Sequence, residues 1–450
     1  MNRRANMRVA GMLLVALLVA VAVEAAPRQR EPNASYAERR AKLRAQIDAP
    51  LVLFGYTGRE NTSPSYIFSQ EHNFYYLTGH NQEGAALLLI PDKVPATGAW
   101  EGPREILFMP ARNRQRERWD GLRIGPADAN AGERTGFDVI RASDALKPEL
   151  EKAARLWGEI YTLTPPGRGT EAGYPHTTNW SNWLRENAPG VELKDARRTI
   201  AGMRQIKMAS EMELLTKAIE LSMDAHLEAM RMMQPGLWEY EVAARMEYIY
   251  KRGGCDRAGY SPIVGSGFFS TVLHYNTLER RIEAGDVIVL DVGGEYAGYT
   301  ADITRTLPAT GKFTARQREI YEVVLAAQNA AMAAIKPGVT MAELTRITRE
   351  TMDKAAAKDK DGNPLGRYFI HGLGHHIGLN VHDASDGSAL TPGMVLTIEP
   401  GIYIPEENLG VRIEDIVLIT ADGYKLLTAR LPRTVEDVER TMAEAARSRR

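Results

Sequence analysis

An α+β protein in two domains, an α/β unit followed by a larger α+β unit, is what this sequence predicts. Three observations predict it. The chain is 450 residues long, enough for two or three domains of ordinary size. Short apolar runs alternate with helical patterns up to about residue 194, as they do in α/β units. Beyond residue 198 capped helices come first and strands follow in mixed order, which points to helices packed on an antiparallel sheet.

The N-terminus is set apart. Arg3, Arg4 and Arg8 precede an uncharged run over residues 9–23, and Glu24-Ala25-Ala26-Pro27 follows. A basic start, a short apolar core and small residues at its end predict a signal peptide over residues 1–25, cut after Ala25, and hence export to a periplasm or the medium. The run is short of the roughly 20 residues that span a bilayer; an uncleaved anchor is the alternative. Residues 26–34 are polar with two prolines and read as a linker.

The first domain is expected over residues 35–197. Its strands are residues 51–54, 85–90 and 105–109, and its helices residues 36–46 and 145–157, with Pro165-Pro166-Gly167 as a break. The second domain is expected over residues 198–450. Ser210 and Glu213 have capping-box spacing before an apolar stripe of Leu214, Ala218, Leu221 and Ala225. Pro235-Gly236 ends that helix, and residues 238–251 form the next, stopped by Gly253-Gly254. Thr314 with Gln317 and Thr340 with Glu343 repeat the capping signature. Strands follow at residues 287–292, 394–399 and 411–419, and residues 434–450 read as a charged helix fraying into solvent.

Composition excludes several classes. Lys+Arg number 56 and Asp+Glu 57, so the basic excess of a nucleic-acid binder is missing and no nucleic-acid partner is expected. The lone Cys255 rules out a disulfide within the chain and reads as a small buried hydrophobe. The methionines at 208, 212, 223, 230, 232 and 233 read as core packing.

The chemistry sits in the second half. Asp291, Asp302, Glu399 and Glu414 each lie in a strand-like apolar setting, and His274, His371, His375, His376 and His382 share that half. A carboxylate in a buried strand is costly unless it is paired or holds a metal. Four carboxylates carry −4, which two divalent cations balance, with one neutral imidazole as a further ligand. Such a pair activates water and clamps a tetrahedral intermediate. The oxygen-rich donor set favours Mn2+ over Zn2+, with Co2+ or Zn2+ as alternatives. Gly372 and Gly374 lack a following Gly-Lys-Ser/Thr and make no phosphate loop. His72, His80, His176, His226 and His376 read as structural.

These residues fall in motifs. Asp291-Val292-Gly293 with Tyr299-Thr300-Ala301-Asp302-Ile303-Thr304-Arg305-Thr306 resembles the first ligand motif of the aminopeptidase P and prolidase family. His371-Gly372-Leu373-Gly374-His375, continuing to His382-Asp383, is similar to its histidine motif. Thr397-Ile398-Glu399-Pro400-Gly401 and Val411-Arg412-Ile413-Glu414 resemble its two glutamate motifs, and Leu273-His274-Tyr275-Asn276 the segment with its upstream histidine. In the first domain, Phe74-Tyr75-Tyr76-Leu77-Thr78-Gly79 and Arg118-Trp119-Asp120-Gly121 carry the likeness.

The resemblance implies a pita-bread catalytic domain behind an N-terminal domain of the creatinase/aminopeptidase P type. It implies two metal ions held by Asp291, Asp302, His375, Glu399 and Glu414, with Asp302 and Glu414 bridging and Glu399 as general base. His274 and His382 would face the scissile carbonyl, and His371 the proline ring. Arg412, expected on the same strand face as Glu414, would orient a ligand carboxylate, and Tyr403 would act beside it. The implied activity is an Xaa-Pro aminopeptidase that cleaves before a proline at the second position by metal-activated hydroxide, in a dimer or tetramer. The alternatives are a prolidase, restricted to Xaa-Pro dipeptides, and a metal-free binding or creatinase-like member of the fold.

Overall fold

The computed structural model describes residues 30–60, 68–95, 98–164 and 175–448. The expected signal peptide and the break at Pro165-Pro166-Gly167 lie outside them. Among the described residues, no helix is long and apolar enough to cross a membrane.

The first domain is built on a six-stranded sheet. Leu51–Phe54 and Glu105–Met109 each pair antiparallel with Ala86–Leu89, which lies between them. Ile140–Ala142 and Glu159–Thr162 flank them in parallel, and Glu192–Asp195 extends the second edge. The central strands are apolar throughout because both faces are covered. Leu51, Leu53, Leu87 and Leu107 point into a core shared with helix Asn33–Gln46 and the second domain. Val52, Phe54, Leu88 and Ile106 point the other way, onto helix Leu146–Trp157. Alternation with period 2 serves two cores here rather than a core and solvent.

The two domains are tied by buried charge. Arg39 is fully buried between Glu31 and Glu211, donating to Glu31 Oε1 at 2.9 Å and lying 3.2 Å from Glu211. Tyr299 donates to Glu31 Oε1 at 2.8 Å and Ser210 to Glu31 Oε2 at 2.7 Å. So Glu31, in the segment read as a linker, is held by both domains. These contacts also correct the capping box. Helix Ala209–Met232 is capped at Met208, whose N–H donates to Glu211, because Ser210 is drawn to Glu31.

In the second domain, helices Ala209–Met232, Glu239–Arg252, Ala315–Ala333 and Met341–Lys354 wrap four small antiparallel sheets. The caps at Thr314 and Thr340 form as the sequence predicts. The strand expected over 411–419 is two strands in two sheets. Leu409–Arg412 pairs with Gly401–Ile404, and Asp415–Ile419 pairs with Val395–Ile398. Helix Val435–Ser448 does not lie free: Val435, Val438 and Met442 are buried, since its apolar residues fall on one stripe.

Candidate active site

Strands Val287–Asp291 and Thr304–Pro308 pair with Asp291 opposite Thr304. The chain between them folds back as a small hairpin, Gly294–Tyr296 with Tyr299–Thr300. A Cβ on Gly293 would sit 1.8 Å from the Ala301 carbonyl oxygen. Only glycine permits that approach, and it brings Asp302 back beside Asp291. A second glycine acts alike: a Cβ on Gly374 would lie 2.0 Å from the Thr397 carbonyl. His375 N–H donates to Thr397 Oγ1 at 3.0 Å, which sets the imidazole near Glu399 at the end of strand Val395–Ile398. Glu414 lies in the gap between the two strands that replace the expected one.

The five predicted ligands converge. Ligand atoms of Asp291, Asp302 and Glu414 lie within 4.8 Å of one another, as do those of His375, Glu399 and Glu414. Asp302, His375 and His382 form a third such group, which the sequence did not suggest for His382. His375 Nε2 stands 3.4 Å from both Asp302 and Glu399. Its Nδ1 lies 3.0 Å from the His376 carbonyl, where Nδ1–H donates and leaves Nε2 free to bind a cation.

The residues fit a metal pair. Glu414 is 1% exposed, and its Oε1 has no hydrogen-bond partner among the described residues. Thr304 donates to the other oxygen at 2.7 Å. A buried carboxylate oxygen without a partner costs several kcal/mol unless a cation meets it.

A cavity of about 500 Å³ opens above the cluster, lined by His274, Asp291, Asp302, His371, His375, His382, Glu399 and Arg412. The His382 ring packs on His375 at 4.0 Å between centroids. His376 is buried and does not line the cavity, in keeping with the structural role expected for it.

Arg412 was expected to orient a ligand carboxylate, and the one it meets is Asp291. It does not share a strand face with Glu414, because the chain leaves the strand between them. It donates to Asp291 Oδ2 at 2.6 Å, to the Tyr403 hydroxyl at 2.8 Å and to Thr304 Oγ1 at 3.2 Å, the hydroxyl that itself donates to Glu414. Tyr403 in turn donates to His371 Nε2 at 2.8 Å, and His371 Nδ1–H donates to the Gly372 carbonyl. Burial pushes His371 down to about 4, so a neutral imidazole completes this chain. Tyr260 was not anticipated. Its hydroxyl bridges Asp291, at 2.7 Å, and Asp302. It lies outside every quoted motif, and a single tyrosine has no periodicity that would mark it.

Charge crowding shows in the proton affinities. Burial raises Glu414 well above the carboxylate range, reinforced by Asp302 and Glu399. Burial also lifts Glu399 to about 8, and burial with the Asp291 charge lifts Asp302 to about 6. For Asp291 burial works upward too, but Arg412 and the Tyr260 bond outweigh it and the net shift is down. Burial disfavours a charged His375, yet Asp302 and Glu399 raise it to about 9. Metal-free protein therefore loses stability between pH 7 and 9. Above pH 7 the unfolded chain has already released the protons of Glu399 and His375, whereas the folded chain holds that of Glu399 up to about pH 8 and that of His375 up to about pH 9. The slope is about 1.4 kcal/mol per pH unit for each such proton. Buried neutral histidines such as His226 act in the opposite sense, but below about pH 6.5. The expected result is a falling thermal midpoint for chelated protein across pH 7–9 and a level or rising one with Mn2+. A chelated protein whose midpoint rises there would contradict the proton assignment.

Comparison with known proteins gives the family. The model of metallopeptidase family M24 matches residues 213–421, and that of the aminopeptidase P N-terminal domain matches residues 36–161. The chain is 32% identical over 443 residues to the Xaa-Pro aminopeptidase of Haemophilus influenzae, covering 91% of this chain and 97% of that one. It is 42% identical over 282 residues to the Xaa-Pro dipeptidase of Pyrococcus furiosus, covering 61% of this chain and 77% of that one. Among solved structures, aminopeptidase P from Escherichia coli with the inhibitor Pro-Leu superposes with a TM-score of 0.80 at 31% identity, covering 93% of this chain and 100% of that one. Matched in both domains and along nearly all of its length, the chain belongs to the aminopeptidase P family of M24 metallopeptidases.

Proposed function

We propose that this protein is a metal-dependent Xaa-Pro aminopeptidase whose centre holds two divalent ions on Asp291, Asp302, His375, Glu399 and Glu414. The observation that carries the reading is the pair of ligand groups sharing Glu414 beneath a cavity of about 500 Å³. When bound, such ions lower the pKa of the attacking water towards neutrality and stabilise charge developing on the carbonyl oxygen. Mn2+ is the proposed metal, because four of the five ligands are carboxylates.

The protein groups supply the rest. Glu399, at the cavity wall, takes the proton of the attacking water and delivers it to the leaving nitrogen. That delivery matters because the proline nitrogen carries no N–H and must be protonated to leave as an amine. His274 and His382 line the mouth and are exposed, so their N–H groups are free to meet the carbonyl oxygen as its charge grows. Arg412 and Tyr260 hold Asp291 in place, and the Arg412–Tyr403–His371 chain holds the His371 ring at the wall that the proline ring meets.

A dipeptidase is the second reading, favoured by the 42% identity to the Pyrococcus furiosus enzyme. The aminopeptidase reading is preferred because the match to the Haemophilus influenzae aminopeptidase spans both domains. The test is hydrolysis of Ala-Pro-Ala and Ala-Pro with Mn2+, Co2+ or Zn2+ and with chelator. Release of alanine from the tripeptide, strongest with Mn2+ and abolished by chelator, is expected. Cleavage of Ala-Pro alone would move the assignment to a dipeptidase, and no cleavage in any metal would end the catalytic reading.

A further inference from the structure

One buried amide joins the two chain segments that carry the glutamates. Gln328 lies on helix Ala315–Ala333 and is completely buried. Its Nε2 donates to the Ile398 carbonyl at 2.9 Å and to the Ile413 carbonyl at 3.0 Å. Those residues immediately precede Glu399 and Glu414. Asp415 Oδ2 lies 3.1 Å from the same nitrogen, and Arg433 donates to Gln328 Oε1 at 3.1 Å. Three neighbours that only accept and one that only donates fix which end of the amide is nitrogen. Arg305 at 2.7 Å and Thr428 at 2.6 Å serve the other oxygen, Asp415 Oδ1. The two N–H hydrogens of Gln328 are thus shared among three acceptors, of which the two carbonyls are the nearer.

A peptide group is planar, so the carbonyl of one residue and the N–H of the next turn together. Glu399 N–H donates to the Leu373 carbonyl at 2.8 Å, and Glu414 N–H donates to the Thr304 carbonyl at 3.0 Å. Each peptide plane is thus held on both edges. The N–H edges are held by the segments that carry His375 and Asp302, and both carbonyl edges by Gln328. The orientation of each plane sets where the next Cα–Cβ bond points, and hence where each glutamate aims its carboxylate.

We propose that Gln328 is a positioning residue of the metal centre, setting the relative placement of Glu399 and Glu414 without touching metal or substrate. The proposal rests on the two-metal reading above. A purely structural role would lower stability alone; a positioning role changes metal affinity as well.

The test titrates metal-free full-length protein with Mn2+ and follows free Mn2+ by electron paramagnetic resonance. It compares wild type, Gln328→Met and Val324→Ala. Methionine is close to glutamine in volume but donates nothing. Val324 is equally buried one turn earlier on the same helix, so its truncation controls for lost packing. Gln328→Met is expected to bind Mn2+ about 10–100-fold more weakly than wild type, as loss of an outer partner does elsewhere. Val324→Ala is expected to keep wild-type affinity while also losing stability. At saturating Mn2+, Gln328→Met lowers kcat on Ala-Pro-Ala and leaves KM near wild type. If Gln328→Met is insoluble, Gln328→Asn, whose amide stops one methylene short, carries the same expectation. Wild-type affinity in the soluble Gln328 variant, or an equal loss in Val324→Ala, overturns the proposal alone. A wild-type protein that binds no Mn2+ overturns it together with the two-metal reading.

Discussion

Glu399→Gln lowers kcat on Ala-Pro-Ala by about 10³-fold at saturating Mn2+, the middle of the range for losing a general base. The side chain keeps its length and its approach to Thr397, whose hydroxyl lies 3.2 Å from Glu399 Oε1. It loses the capacity to accept a proton and one negative charge of the ligand set. KM is expected to stay close to wild type, since the cavity walls that hold the substrate are unchanged. Mn2+ content measured beside the kinetics separates the two losses: protein that still binds two ions and fails to turn over isolates the proton transfer. A variant retaining a tenth or more of wild-type kcat would remove Glu399 from that role.

Arg39→Leu destabilises the protein by about 3–5 kcal/mol, the usual cost of breaking a buried ionic group by removing one partner. Arg39 has no exposure and lies between Glu31 and Glu211. It also donates to the Tyr76 carbonyl at 3.1 Å. Leucine fills part of the space and leaves two carboxylates facing each other without the cation between them. Glu211, which burial already pushes upward, has lost the larger of the two charges that oppose that push, with only Lys207 remaining. Urea denaturation followed by tryptophan fluorescence reads the loss. The transition is also expected to separate into two steps, because Arg39 belongs to the first domain and Glu211 to the second. A loss under about 1 kcal/mol would mean that water reaches these carboxylates and that the pair is worth no more than a surface bridge.

Much of the fold was legible because its elements are local. The first-domain strands announce themselves as short apolar runs, and Thr314 and Thr340 mark helix starts by side-chain chemistry within one turn. Where the reading failed, a distant partner intervened. Glu31 takes the hydroxyl of Ser210 and moves the cap to Met208. The apolar run over 411–419 looks like one strand. Yet its halves pair with different strands, and the break at Ile413 and Glu414 turns Glu414 into the cluster.

The sequence by itself determined the family, the five metal-ligand candidates and the histidines around them. Ligand chemistry is a property of residue type: four carboxylates in apolar surroundings demand cations wherever the chain folds. Only the tertiary structure decided the company those ligands keep. It chose Asp291 as the carboxylate that Arg412 meets, brought Tyr260 to bridge two aspartates, and seated Gln328 across the approaches to both glutamates. These contacts join residues far apart in the chain. They follow no period, and they exist only once helices and sheets have closed around one another.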